Sequence, residues 1–287
     1  MIYVSSACIA KKKIGEVIDT YVQNGIKEIE LSGGTQYYPD IERDLSEKQK
    51  KYGLQYACHA YFPPAQEDFV VNLASCNDKI YDQSREHYRR CIGLLTRLGC
   101  ETLSVHAGFL VEINSEEIGK SINSAIVYDK REAYDRFCSA YKELVAEAQK
   151  ANIRVYLENN VLSAKNFRNF GQENYFMMTD WQSICEMREK LDFNLLLDIG
   201  HLYVSSRTLN LDYKHQVQML QDQVEWIHVS DNDGIADQHL PLKEDSYIVW
   251  ALRYLKYKRP EINLTLETIG NVQGILSSYR IVQNVGK

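Results

Sequence analysis

Only five prolines are spread over the 287 residues, and no Pro/Ser-rich, low-complexity or single-charge block interrupts the chain, so nothing marks an internal linker. The seven cysteines (Cys8, Cys58, Cys76, Cys91, Cys100, Cys138 and Cys185) are odd in number and never stand as CxxC. This argues against a disulfide framework or a cysteine zinc site and for packed, reduced thiols in a cytoplasm. No apolar run approaches the length of a membrane span. The opening MIYVSSACIAKKKIG sets its lysines after a short apolar stretch, the reverse of a secretory signal. A basic excess is missing too: 33 Lys+Arg face 39 Asp+Glu, a net charge of -6, which disfavours nucleic acid as the first partner while leaving a local patch open. What remains is a cytoplasmic protein of enzyme size with no membrane partner.

What is present is regular. Short apolar runs that end in a polar residue alternate with longer amphipathic segments from one end to the other, the pattern of repeated βα units and a parallel sheet. The runs are IYVSSA, IKEIELS, LQYACHA, TLSVHAG, IRVYLENN, FNLLLDIGH, VEWIHVSD and INLTLET. Residues 80–98 and 131–151 carry apolar side chains at helical spacing, the first ending before Gly99. Eight such units predict an α/β fold, a single (β/α)8 TIM barrel domain over residues 1–287. The longest expected loop, 159–179, follows the fifth strand, and its aromatics favour a lid.

In such a barrel all strands open onto one face at their C-terminal ends, where distant residues converge. The third strand ends at His59, the fourth at His106, the fifth at Glu158 and the sixth at Asp198, with His201 just beyond. The seventh ends at His228 and leads into DNDGIADQHLPL with Asp237 and His239; the eighth ends at Glu267. Five of the seven histidines fall in this set; His87 and His215 lie on expected helices. Taken singly, each residue would more often be a hydrogen-bonded structural group. Together, five imidazoles and four carboxylates in one basin would repel and cost desolvation energy unless cations neutralised them. The sequence therefore predicts a metal site at the C-terminal face of the strands. Nitrogen and oxygen ligands without thiolate suit zinc, manganese, cobalt or iron. Nine ligands exceed the needs of one ion and, with a bridging carboxylate, could hold two or three.

The motifs CHAYF with VNLAS, VHAG, LEN, LLLDIGH, HVSDNDGIADQH and LET resemble those of the xylose isomerase-like TIM barrel superfamily, which includes sugar isomerases, epimerases and the endonuclease IV type of abasic-site nuclease (AP endonuclease family 2). The resemblance covers most of the chain. In the nuclease branch it implies three zinc ions: Glu158 bridging, His59 and His106 on the first, Asp198, His228 and Glu267 on the second, and His201, Asp237 and His239 on the third. In the isomerase and epimerase branch it implies one ion, usually manganese or cobalt, on Glu158, Asp198, His228 and Glu267. There His201 touches substrate and the two glutamates exchange protons with carbon. IELSGG and the DNDG loop resemble the sugar branch more closely. The sequence departs from both branches after His239, where LPLKEDSYIVW lacks a glycine turn, and the first strand lacks the histidine expected of the nuclease.

Three functions compete. The first is a metal-dependent isomerase or epimerase of a sugar or sugar phosphate, acting through an enediolate, with Glu158 and Glu267 as base and acid and His201 in support. Tyr37, Tyr38, Tyr61, Phe62, Phe109, Phe167 and Tyr203 are candidates to cover a sugar, and Lys165, Arg168 and Arg207 to bind an anionic group. Of these, Tyr61, Phe109, Lys165 and Arg207 are taken as the substrate-binding set. The second is a zinc phosphodiesterase acting on abasic DNA or another phosphate ester. Against it stand acidic residues on the expected catalytic-face loops: Asp40, Glu42, Asp44, Glu67, Asp68, Glu112, Glu116 and Glu117. The third is a sugar-binding or regulatory protein without turnover. Twenty tyrosines admit a homo-oligomer whose interface they would cover.

Overall fold

The eight apolar runs become eight strands: β1 (Ile2–Ser5), β2 (Glu28–Leu31), β3 (Gln55–His59), β4 (Thr102–His106), β5 (Arg154–Glu158), β6 (Asn194–Asp198), β7 (Val224–Val229) and β8 (Asn263–Leu266). A computed structural model describes residues 1–10, 12–67, 69–117, 120–123 and 126–285. Each strand pairs in parallel with its sequence neighbour and β8 pairs with β1, closing a (β/α)8 barrel. The described helices between and after the strands are α1 (Ile14–Gln23), α2 (Ile41–Tyr52), α3 (Asp78–Leu98), α4 (Lys130–Lys150), α5 (Ala164–Asn169), α6 (Trp181–Arg188), α7 (Ile199–Thr208), α8 (Tyr213–Leu220), α9 (Tyr247–Lys258) and α10 (Val272–Asn284). The expected helices 80–98 and 131–151 are α3 and α4, each within two residues at either end. Gly99 ends α3 with φ 64°, a left-handed cap that glycine adopts without strain. None of the described helices is long and apolar enough to cross a membrane.

Side-chain alternation along the strands sorts the barrel into two environments. One set, including Leu103, Val105, Leu195, Leu197, Ile227 and Val229, belongs to the large core that the surrounding helices share. The other set, Tyr3, Ala57, Tyr156, Leu196 and Trp226, forms a separate buried cluster. Two residues on from each member, on the same face of its strand, stand Ser5, His59, Glu158, Asp198 and His228. The polar layer therefore rests on an apolar plug.

The loop that follows β5 differs from expectation. Ser163 caps Asn166 N and starts the short helix α5, so the segment is interrupted, and the connection 107–129 between β4 and α4 is longer in sequence, with a 3-10 turn at Ser115–Glu117 among its described residues. Phe170, Tyr175 and Phe176 of the β5 loop pack against Val70, Phe109, Val111, Ile113 and Ile122, with Phe109 and Phe176 bridged. The aromatics thus form a wall with the neighbouring loops. Gly108 permits this closeness: a Cβ there would lie 2.5 Å from Ala74 Cβ.

Candidate metal centre and cavity

The last residue of β5, Glu158, lies at the middle of the basin, fully buried. Its Oε2 meets His59 Nε2 at 2.7 Å and His106 Nδ1 at 2.9 Å. Its Oε1 faces His228 Nδ1 at 3.1 Å, and Glu267 Oε2 approaches the same nitrogen at 3.5 Å. Asp198 closes the group from β6. It divides its carboxylate: Oδ1 caps α7 by accepting His201 N at 2.7 Å, while Oδ2 is buried without a hydrogen-bond partner. Gly200 lets that turn fit, since a Cβ there would lie 3.1 Å from Asp198 Oδ1.

Ligand atoms of Glu158, Asp198, His228 and Glu267 lie within 4.8 Å of one another, as do those of His59, His106 and Glu158. The donor chemistry fits a divalent cation. Glu158 Oε1, Asp198 Oδ2 and His228 Nδ1 are buried and have no hydrogen-bond partner, although two of them face each other at 3.1 Å. Orphaned donors and acceptors aimed at one point are costly unless a cation joins them.

Charge in the basin is strongly interdependent. Burial pushes the Glu158 carboxyl up, but His106, His59 and His228 outweigh it and hold the group well below the usual carboxylate range. Burial likewise works against Glu267, and His228 brings it down to about 2. Asp198, where burial prevails over His201, is pushed up to about 6. His228 resists burial because Glu30, Glu267 and Glu158 raise it well above the ordinary imidazole value. The carboxylates therefore demand positive charge in their midst.

His201, Asp237 and His239 stand nearer the mouth. His201 Nδ1 is fixed at 2.9 Å from the carbonyl of Asn159, and its Nε2 faces Asp237 Oδ2 at 3.3 Å; His239 Nε2 lies 2.9 Å from the same oxygen. Among the described residues these three do not form a ligand group as close as the two above. Asp237 Oδ1 and His239 Nδ1 are nonetheless unpartnered. His239 holds φ 48°, an unusual conformation for a side-chain-bearing residue and one often found at sites.

Sequence reasoning missed Glu30. It is fully buried on β2, and its Oε2 lies 3.1 Å from His228 Nε2 and accepts Thr265 Oγ1 at 3.0 Å. Trp226 Nε1 donates to Thr265 Oγ1 at 2.9 Å, so the chain of contacts runs from the apolar plug to the basin. Glu30, His59 and Glu267 also bring ligand atoms within 4.8 Å of one another. The available signal was an acid near the end of a buried strand, in IKEIELS.

Above the basin opens a cavity of about 680 Å³, lined by His59, His106, His201, Asp237, His239 and Glu267 at its base. Tyr61, Phe109 and Lys165 line it as expected, with Arg168, Lys120 and Phe176. Arg207 does not: it lies against the far side of the β7 loop, where a Cβ on Gly234 would meet its Cγ at 3.0 Å. Tyr38 and Phe62 are buried in the core, Tyr37 accepts from Gln66, and Tyr203 stacks on Tyr247. Phe167 is not among the lining residues either. Gly33 of IELSGG abuts Tyr61, whose Cβ would lie 2.9 Å from an added one.

The acidic loop residues also separate. Asp40 pairs with Arg43, Glu42 with Arg97, and Asp44 accepts Tyr38 OH; Glu112 accepts Tyr128 OH. Of the acids counted against a phosphate ligand, only Glu117 lines the cavity, and Asp68 lies outside the described residues. The expectation of a repelling acidic mouth is corrected accordingly: structural partners occupy several of those carboxylates, while three cations stand at the cavity.

A family model described as xylose isomerase-like TIM barrel matches residues 18–280. An uncharacterised protein of Methanocaldococcus jannaschii is 25% identical over 215 residues, 74% of this chain and 63% of that protein, so the match spans less than two thirds of that relative. Among solved structures, a D-tagatose 3-epimerase-like protein superposes with a TM-score of 0.74 at 22% identity, covering 99% of this chain and 96% of the other. Endonuclease IV from Thermus thermophilus superposes with a TM-score of 0.61 at 13% identity, covering 98% and 97%. At these identities the structural likenesses concern the fold.

Proposed function

Because the chain belongs to the xylose isomerase-like TIM barrel family, we propose that it is a metal-dependent isomerase or epimerase of a sugar or sugar derivative, working as one domain over residues 1–287 in the cytoplasm. The observation that carries this reading is the pair of buried carboxylates, Glu158 and Glu267, that approach His228 Nδ1 at 3.1 and 3.5 Å. They come from strands three apart in the closed barrel, so two acid–base groups flank one point at the cavity base.

Glu158, Asp198, His228 and Glu267 would hold the principal ion, zinc or manganese with cobalt as a further candidate. A divalent ion there supplies a Lewis acid that lowers the pKa of a C–H bond beside a carbonyl. Glu158 and Glu267 then take a proton from one face of that carbon and return one to the same or the opposite face. Return to the opposite face inverts the centre; transfer to the neighbouring carbon exchanges aldose and ketose. His201, oriented through its Nδ1 by Asn159, presents Nε2 to substrate hydroxyls. Tyr61 and Phe109 shield the reacting centre from water.

The second reading is a trinuclear zinc phosphodiesterase of the endonuclease IV kind. It is favoured by Asp237, which touches both His201 and His239, and by the presence of all nine ligand types around one basin. The wider spacing of that outer trio supports the one-ion reading instead.

The deciding experiment measures metal content per chain and, in parallel, incubates the protein with free and phosphorylated ketoses in D2O. Deuterium appearing on the carbon beside the carbonyl, at about one metal per chain and lost in Glu158→Gln, is the expected result. Three zinc ions per chain with cleavage of an abasic-site oligonucleotide and no deuterium exchange would transfer the assignment to the phosphodiesterase. Full turnover by Glu158→Gln would remove both.

A further inference from the structure

The outer half of the cavity is unlike its base. Lys165 and Arg168 lie three residues apart on α5, a spacing that sets both on one face of the helix, and both line the cavity. Lys120, from the β4 loop, lines it as well. The two loops are joined by specific bonds: Oδ1 of Asn166, the buried residue of α5, accepts Ile122 N at 3.0 Å, and Asn169 Nδ2 donates to Ser121 Oγ at 2.8 Å and to the Ile122 carbonyl at 3.0 Å. The cations are therefore presented by a built junction between two loops.

None of these three cations forms an ion pair among the described residues. Several arginines elsewhere are paired, Arg85 with Glu143, Arg97 with Glu42 and Arg136 with Asp78, whereas what distinguishes Lys120, Lys165 and Arg168 is that all three line one cavity. Glu117 lines the same cavity, but its oxygens already accept Asn114 N, Asn114 Nδ2 and Asn123 N. In a chain of net charge -6, three cations lining one cavity without a carboxylate paired to them make a local positive patch that favours an anionic ligand.

We propose that the substrate carries an oxyanion, a phosphate monoester in the first instance, which Lys165, Arg168 and Lys120 hold at the outer end of the cavity while its carbonyl end lies over the carboxylates. The arginine supplies a planar fork and the lysines supply point charges, a combination suited to terminal phosphate oxygens. Three cations in one recess suit a single anionic group; a polynucleotide backbone requires a longer basic track. This deepens the sugar reading by naming the substrate class, and the grip itself depends only on the outer cavity.

The test is calorimetric binding to the metal-loaded protein of inorganic phosphate, a free ketose, its phosphate monoester and a sugar acid, repeated on Lys165→Ala/Arg168→Ala. Both substituted side chains are exposed, and an unchanged thermal midpoint verifies the fold of the variant. The phosphate ester is expected to bind about tenfold or more tighter than the free ketose, with inorganic phosphate competing. The double variant is expected to lose that preference while binding the free ketose as before; Lys165→Arg/Arg168→Lys is expected to retain most of it. An equal gain for the sugar acid would keep the oxyanion site and identify its ligand as a carboxylate. Equal affinity for free and phosphorylated ketose, or a preference that survives the double alanine variant, overturns the proposal. Deuterium exchange reports separately on the reaction, so a protein that prefers the phosphate ester yet exchanges no proton would retain this site and lose the isomerase reading.

Discussion

Glu30 Oε2 and His228 Nε2 lie 3.1 Å apart, both side chains fully buried, while the other ring nitrogen of His228 faces Glu158 and Glu267. The Glu30 carboxylate accepts a hydrogen bond from Nε2–H, which turns the Nδ1 side of the ring to the basin. A carboxylate behind a ligating histidine fixes its tautomer and raises its basicity.

Glu30→Ala is therefore expected to weaken binding of the principal ion by about 10- to 100-fold in a chelator competition, with Glu30→Gln, which still accepts a hydrogen bond, losing less. Nitrogen-15 shifts of His228 should report a changed tautomer in the alanine variant. Equal metal affinity in wild type and both variants would refute this role.

His239 separates the two enzymatic readings. His239→Ala in a one-ion isomerase should leave the principal metal bound and reduce turnover modestly, whereas a three-ion hydrolase should lose one equivalent and most of its rate. Metal analysis alongside kinetics distinguishes them.

Gly33→Ala should displace Tyr61, because the added Cβ would lie 2.9 Å from the tyrosine Cβ. The expected consequence is a raised KM for substrate with metal content unaltered. A crystal structure of the variant with Tyr61 unmoved would contradict the expectation.

His87 gives a pH signature independent of the site. Burial on α3, with Arg90 nearby, lowers its pKa from 6.5 to about 4. The folded protein then holds fewer protons than the unfolded chain between those values, so stability falls as pH drops from about 6.5 to about 4. The effect reaches at most roughly 3 kcal/mol. His87→Leu should flatten this part of the denaturation profile; parallel profiles for the two proteins would rule the histidine out.

Much of this was legible in the sequence because a barrel strand advertises its end. His59, His106, Glu158 and Asp198 each terminate a strand, and alternation alone puts such residues on the inner face. Glu30 was hidden by the same habit: it is followed by the apolar Leu31, so IKEIELS reads as a strand continuing past its functional residue. Arg207 illustrates the opposite failure. Its position after LLLDIGH places it near the site in sequence, but the course of α7 carries it behind the Gly234 turn. The mouth was misjudged because charges were counted along loops, while ion pairs such as Glu42 with Arg97 form between residues far apart in the chain.

Asp198 gives one oxygen to the first turn of α7 and keeps the other for the basin. An ion bound there is consequently a ligand of the native state that the unfolded chain cannot match, and its chemical potential enters the folding equilibrium directly. At a free concentration one hundred times its dissociation constant it would add about 2.7 kcal/mol to the unfolding free energy. Chelation would then loosen the start of α7 before it unfolded the barrel, and metal supply would set how long the chain survives as well as how fast it turns over.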